Sequence, residues 1–522
     1  MTEKIILKKI TKNMLNSSKQ IKYSALLSYF SIALNILVGL FFTPWLVRKI
    51  GQSDFGLYTL CISFISLFIF DFGLSIGVSR YLSLYFSKNE TEKIKKFLGI
   101  IYKIYFSISI LIFIIFIVLY FNIEKIYSNF NQDEIIKLKF ILLIVGFFNI
   151  ITISTKPLEG ILIASERFIF IKSVNIFNKL STVFLLIVLL KFGYGLYALV
   201  LTNIFVNLLV IISRFFYIKK FIGFEVDFKF WDNKLFREIF VFSFWISLSA
   251  IFQRLILNIM PSIIGIFTNT IQIAIFSIGM TIEGYTWTIS NALNGLFLPK
   301  VTRILVNNNS QHFNQVMLKL GRIQLFIVGF IIVAFFIFGK DFMLLWMGEK
   351  FNNSYWVALL LILPFIIIQT QEIPQTALLV VNEVKYKALS TIIISIVSIA
   401  LSSLFSIKYG AIGAALGVMV AKIIGLIVFL NIIYYRLFKI DIFKFFIDCH
   451  LKNSPLFLIM LIFGFFIQKY FPLNNFYTFI LKLGTFSIVY FLLLWLFFLN
   501  DYEKSLFYDV KRKAKQIFNI KT

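Results

Sequence analysis

SALLSYFSIALNILVGLFFTPWLVRKIGQSDFGLYTLCISFISLFIFDFGLSIGVSR, residues 24–80, decides the fold. Its first apolar run, Ser24 to Trp45, is long enough to cross a bilayer, which takes roughly 20 residues at about 1.5 Å rise each. A polar hinge from Thr43 to Tyr58 follows, and the second run carries Asp71-Phe72-Gly73-Leu74 inside it. Two spans joined by a tight turn form a membrane hairpin, and the rest of the chain varies that theme.

Apolar runs recur near 24–46, 55–79, 98–121, 138–160, 168–190, 194–217, 237–260, 270–298, 322–345, 355–379, 387–407, 411–435, 455–471 and 477–500. They predict about fourteen spans and an all-α polytopic membrane protein. Pro261, Pro364 and Pro374 interrupt windows 261–298 and 355–383. Membrane helices tolerate proline where neighbours re-satisfy the freed carbonyls. Composition agrees: 60% of the 522 residues are hydrophobic and the mean hydropathy is +0.90. A soluble chain of this length could not bury that much apolar surface.

The net charge is +27. In a soluble protein such a balance points to nucleic acid; here it is a matter of topology. With the N-terminus inside, about 35 basic residues fall in inside segments and about 11 outside, the bias of the positive-inside rule. Lys93-Ile94-Lys95-Lys96, Lys219-Lys220 and Lys511-Arg512-Lys513 are inside clusters. Both termini are therefore expected in the cytoplasm, with the excess charge facing anionic lipid heads. No nucleic-acid partner is expected. The first 23 residues, rich in lysine, precede a run too long for a signal-peptide core, so no cleavable signal peptide is expected. Cys61 and Cys449 are too few for a disulfide framework, and His312 and His450 lack ligand spacing, so no metal site is expected.

The chain repeats itself at an offset of 217 positions, which relates Pro44 to Pro261 and Pro157 to Pro374. The same offset aligns Lys191-Phe192-Gly193-Tyr194-Gly195-Leu196-Tyr197-Ala198-Leu199 with Lys408-Tyr409-Gly410-Ala411-Ile412-Gly413-Ala414-Ala415-Leu416. Six spans is an even number, so both halves keep one orientation, related by a pseudo-two-fold axis along the membrane normal. The expected layout is a basic N-terminus (1–23), a six-helix lobe (24–218), a cytoplasmic linker (219–236), a second six-helix lobe (237–436), an additional two-helix unit (437–500) and a basic tail (501–522). In such designs substrate binds near the midplane and access alternates as the halves rock.

No phosphate-binding loop, nucleophile–base set or nucleotide-hydrolysing domain is legible, so a transporter is expected rather than an enzyme. Its energy would come from a coupling proton or sodium ion, or the movement runs downhill. What remains is charge inside the spans. Lys103, Lys156, Lys179, Arg254, Lys422, Asp71, Glu159, Glu283 and Glu372 all fall there. Each costs at least about 2.5–3.5 kcal/mol near a helix centre unless it faces a cavity or a partner. Lys103 is close enough to the cytoplasmic end to snorkel. Lys156 and Glu159, three apart, are expected to pair locally. Arg254, Lys179 and Lys422 lie deeper and are the candidates for a cavity attractive to an anionic substrate. Glu283 and Asp71 are candidates for balancing that charge or carrying a coupling ion, although Asp71, beside Gly73, reads first as a structural fastener.

Several motifs together resemble a known family. Pro44 and Arg48 precede Gly51, Phe55-Gly56-Leu57-Tyr58 opens the second span, and Asp71-Phe72-Gly73-Leu74 follows. Pro157-Leu158-Glu159-Gly160-Ile161-Leu162 with Glu166-Arg167, and Pro374-Gln375 through Leu379 with Asn382, complete the pattern. The chain resembles the O-antigen type of polysaccharide flippase, within the multidrug/oligosaccharidyl-lipid/polysaccharide exporter superfamily. That resemblance implies two lobes in a V around a central cationic cavity in the bacterial cytoplasmic (inner) membrane. It implies passage of an undecaprenyl-diphosphate-linked oligosaccharide from the inner to the outer leaflet, in lipopolysaccharide or other surface polysaccharide biosynthesis. The diphosphate and any acidic sugars would meet Arg254, Lys179 and Lys422. A polysaccharide polymerase and a chain-length regulator would be protein partners. The extra helix pair is similar to one that cradles the lipid tail in peptidoglycan-precursor flippases. Two alternatives stand beside this. A cation-coupled multidrug antiporter of the same superfamily would have about twelve spans and an acidic cavity. A membrane glycosyltransferase or polymerase would need a large outer loop, and none here exceeds about twenty residues.

Overall fold

A computed structural model describes residues 17–68, 74–88, 90–223, 225–237, 251–256, 258–294, 310–381, 383–473, 475–501 and 503–505. Among them every regular element is helical. The chain divides into two compact units, residues 1–274 and 275–522. Ten stretches of described helix are long and apolar enough to cross a membrane. One of them, Val384–Phe438, holds both the 387–407 and the 411–435 run. The runs at 55–79, 237–260 and 270–298 lie partly outside the described residues. The architecture is that of the all-α polytopic membrane protein expected from the apolar runs.

The first unit comprises α1 (Ser17–Ile50), α2 (Gln52–Phe68), α3 (Leu74–Ser87), α4 (Thr91–Ile126), α5 (Gln132–Ser154), α6 (Pro157–Ala164), α7 (Phe168–Lys191), α8 (Gly195–Phe221) and α9 (Met260–Phe267). Then α10 (Thr270–Asn294) leads into the second unit. The opening hairpin is tighter than its sequence suggests. Pro44 does not end the first helix but lies inside α1, and the hinge contracts to Gly51 at φ +86°. Glycine adopts that left-handed backbone without a Cβ clash. Pro261 likewise opens α9 rather than closing the helix before it, where its missing N–H costs no hydrogen bond.

Neighbouring helices pack α4 against α5, α1 against α7 and α7 against α8. Leu57, Leu60, Leu82, Ile100, Leu138, Ile141 and Leu199, from α2, α3, α4, α5 and α8, are buried. Phe41, Phe121 and Phe184 are exposed. An exposed apolar face over helices of spanning length is a lipid-facing face.

One carboxylate ties three helix starts together. Glu134 Oε1 accepts from Ser53 Oγ at 2.5 Å and from Thr270 Oγ1 at 2.7 Å. The two hydroxyls are themselves 3.0 Å apart. On the expected cytoplasmic side, Lys103 reaches out of α4. Its Nζ donates to the Phe230 carbonyl at 3.2 Å and lies 5.7 Å from the Trp231 ring, the end-seeking posture expected of it.

The second unit contains α11 (Ser310–Met347), α12 (Asn353–Ile362), α13 (Phe365–Ile368), α14 (Glu372–Val380), α15 (Val384–Lys422), α16 (Leu430–Phe438), α17 (Ile442–Cys449), α18 (Ser454–Tyr470) and α19 (Phe476–Leu493). Within α15 the backbone breaks at Gly410 (φ 56°), so two antiparallel helices face one another. Their interface is lined by small residues. Ser402 Oγ donates to the Ala414 carbonyl at 2.9 Å and Ser390 Oγ to the Gly425 carbonyl at 2.8 Å. Small residues let membrane helices approach closely where no hydrophobic force drives them together.

The last two helices are fastened to α11 by buried charge. Arg322 grips Glu503 with Nε at 2.8 Å and donates to the Phe498 carbonyl at 2.7 Å. Lys482 Nζ meets Asp341 at 3.2 Å, joined by Gln468.

The repeat reappears in backbone geometry. Gly193 (φ 86°) and Gly410 (φ 56°), aligned at the 217 offset, both make the turn between the fifth and sixth spans of their halves. Pro157 opens α6 just past the end of α5, and Pro374 sits in α14 just past a 3₁₀ turn at Gln369–Gln371. In each half a polar pair then ties the broken helix to the sixth span. The pairs are Arg214 with Glu159 in one and Asn431 with Gln371 in the other.

Candidate functional site

In the second unit, Lys422 stands where the Gly410 hairpin presses its small-residue face together. A π-helical stretch, Ile423–Phe429, follows it directly. Such local under-winding of a helix is frequent at functional sites. Lys422 is 6% exposed. Its Nζ is salt-bridged to Glu283 on α10, donates to the Leu361 carbonyl at 3.2 Å and lies 4.9 Å from the Phe365 ring. A buried ammonium needs this set of partners: a counter-charge, a second acceptor and a ring face. Lys422 is thus neutralised where it sits, and Glu283 is the neutralising group.

The other sequence-picked residues are placed apart from this pair. Arg254 is exposed and makes no ion pair among the described residues. Lys179 is half-buried on α7 and makes none either among the described residues. Asp71 lies outside the described residues.

The expected Lys156–Glu159 pair is not formed. Pro157 starts a new helix, which leaves Lys156 as its cap rather than on a shared helical face. Glu159 turns instead to Arg214 on α8, at 3.2 Å.

That pair stands in the wall of a cavity of about 310 Å³ within the first unit, lined also by Lys156, Asn175, Asn178 and Asn207. A smaller cavity of about 180 Å³ adjoins it, sharing Thr152 and Asn207 and adding Asn149, Asn203 and Tyr58. The larger cavity makes a polar seam between α5, α7 and α8, and the smaller one continues it with a mostly apolar lining around its amides. Asn178 donates to Asn207 Oδ1 at 3.3 Å, and Asn203 donates to the Tyr58 hydroxyl at 3.3 Å and to the Leu199 carbonyl at 2.8 Å. Asn149 is 1% exposed, and among the described residues neither its Nδ2 nor the buried Nε of Arg214 has a partner. Charge marks two residues of this seam in the sequence, Lys156 and Glu159, but only as a local pair. The signal was there in polar periodicity: Asn203, Asn207 and Arg214 recur at helical spacing on one face of an otherwise apolar span.

A sequence profile of the family described as polysaccharide biosynthesis protein matches residues 45–356. No curated protein matches the chain by sequence. Among solved structures the chain is similar to the lipid II flippase MurJ in an inward closed conformation. The TM-score is 0.66 at 19% identity, covering 90% of this chain and 97% of that one. It is also similar to an inward-facing multidrug resistance MATE family transporter of the MOP superfamily, with a TM-score of 0.62 at 13% identity, over 74% and 92% of the two chains. A MATE transporter of Vibrio cholerae gives a TM-score of 0.53 at 14% identity, over 82% and 99%. With its fold shared by these transporters and most of its length matched by the family profile, the chain belongs to the polysaccharide biosynthesis protein family.

Proposed function

We propose that the protein is a flippase that carries an undecaprenyl-diphosphate-linked oligosaccharide, a surface polysaccharide repeat unit such as an O-antigen, from the inner to the outer leaflet of the bacterial cytoplasmic membrane. The observation that carries this reading is the family match over residues 45–356 on a chain with the fold of a lipid II flippase. That protein, by its name, is a flippase of lipid II. The multidrug transporters share the fold, but the family profile matched by this chain is the polysaccharide one.

In this reading both termini are cytoplasmic and the two lobes alternate access to a midplane site. Arg254 and Lys179 attract the diphosphate and acidic sugars. Lys422 joins them when its pairing with Glu283 loosens, and Glu283 then takes up a coupling proton or sodium ion. Asp71 fastens its hairpin. A polymerase and a chain-length regulator act on the delivered unit. Complementation of flippase-deletion strains that differ in repeat unit tests the proposal: surface polymer restored in at least one strain supports it. Polymer restored in none of them, with the protein present in the membrane, counts against it.

A further inference from the structure

We propose that the polar seam of the first unit is a subsite for a single acidic sugar residue of the transported oligosaccharide. The inference rests on the flippase reading and adds to it a place and a ligand class.

The fold itself does not require the seam. At the 217-position offset, Asn149, Asn175, Asn203 and Asn207 correspond to Ile366, Ile392, Val420 and Ile424 in the second half. Four of the seam's five asparagines therefore stand where the second half has aliphatic side chains, while Asn178, Thr152 and Arg214 correspond to the polar Ser395, Gln369 and Asn431. Asn149, Asn203 and Asn207 are buried or half-buried in the bundle, where amides are costly unless they serve a polar partner or occupant.

The lining groups say what that occupant offers. Asn149 Nδ2 and Arg214 Nε, unpartnered among the described residues, are themselves covered by protein, so the call for acceptor oxygens comes from the cationic Lys156 and Arg214 side chains and the carboxamides that line the cavities. Its charged groups are Lys156 and Arg214 against Glu159, one positive charge in excess. A cation is the wrong ligand for such walls, and a carboxylate is the right one. The larger cavity, about 310 Å³, is at the lower end of the roughly 300–1,000 Å³ range of ligand pockets, room for one sugar ring and not for a repeat unit. Carboxamides and a tyrosine hydroxyl suit sugar hydroxyls, which both donate and accept.

The test uses the full chain in nanodiscs and saturation-transfer NMR with three probes: glucuronate, glucose and inorganic phosphate. Glucuronate is expected to bind better than glucose, with phosphate competing weakly or not at all. The variant Asn203→Val/Asn207→Ile installs the residues found at the matching positions of the second half, and is expected to weaken glucuronate binding about tenfold or more. Equal binding of glucose and glucuronate, binding of phosphate alone, binding of none of the three, or an unchanged variant would each overturn the subsite. Should the variant not fold, the probe ranking on the unaltered protein decides. Export reports separately. A variant that keeps full export overturns the subsite and leaves the flippase reading intact. Glucuronate binding lost in the variant, by a protein whose unaltered form never restores export, upholds the subsite as a sugar site and overturns the flippase reading.

Discussion

Lys422 and Glu283, 139 positions apart in sequence, are ion-paired inside the second unit, with side chains only 8% and 19% exposed. Neither has a charged neighbour in sequence that would announce the other. Their pairing turns what reads as a free cation at the membrane midplane into a closed polar contact between α10 and the Gly410 hairpin.

Breaking one side of a buried pair leaves the other charge stranded. Glu283→Ala should therefore destabilise the protein by roughly 3–5 kcal/mol, whereas replacing both partners together, as in Lys422→Met/Glu283→Gln, should recover most of that loss. Thermal unfolding of the purified variants in one detergent checks this. A single variant as stable as the double would mean that the pair is not the contact described.

Arg254 is exposed and makes no ion pair among the described residues. Arg254→Ala is expected to lower surface polysaccharide at unchanged membrane abundance, and Arg254→Lys to retain part of it, because charge survives while the bidentate fork does not. Normal polymer in the alanine variant would remove Arg254 from the mechanism.

Ser53 and Thr270 occupy equivalent positions of the repeat and lie with their hydroxyls 3.0 Å apart over Glu134. Cysteines at these two positions should cross-link under mild oxidation, since Cys61 and Cys449 are both buried. Mass spectrometry of the digested protein would show the linked peptides, and their absence at full oxidation would argue against this junction.

Reporter fusions address orientation. A reporter joined at residue 1 or at residue 522 is expected to report a cytoplasmic position, following the bias of lysine and arginine in the loops. An outside position for either would overturn the orientation and, with it, the reading of two halves that point the same way.

Much of this fold was legible from apolar run length alone, because a lipid-embedded helix must satisfy its backbone internally and needs a set length to cross. The turns at Gly193 and Gly410 were legible too, since the aligned stretches share the glycine their backbone needs. What was not legible depended on distant partners. Pro44 suggested a helix end, yet α1 runs on to Ile50 and Gly51 makes the turn. Glu159 seemed to belong to Lys156 by spacing, but Pro157 restarts the helix and Arg214, 55 positions away, takes the carboxylate. The seam around Asn149, Asn203 and Asn207 escaped a reading that sorted the spans by charge. Neutral amides give their signal only through helical spacing and through contrast with the aliphatic second half.

The most direct measurement is translocation in proteoliposomes. The purified protein would be reconstituted with a fluorescently labelled undecaprenyl-diphosphate-linked oligosaccharide, and the fraction accessible to a membrane-impermeant quencher followed over time. The account predicts that the accessible fraction shifts in a protein-dependent manner, faster with an imposed proton or sodium gradient and slower in the Arg254→Ala variant. An accessible fraction identical to that of protein-free vesicles, from protein that is folded and inserted, would contradict it.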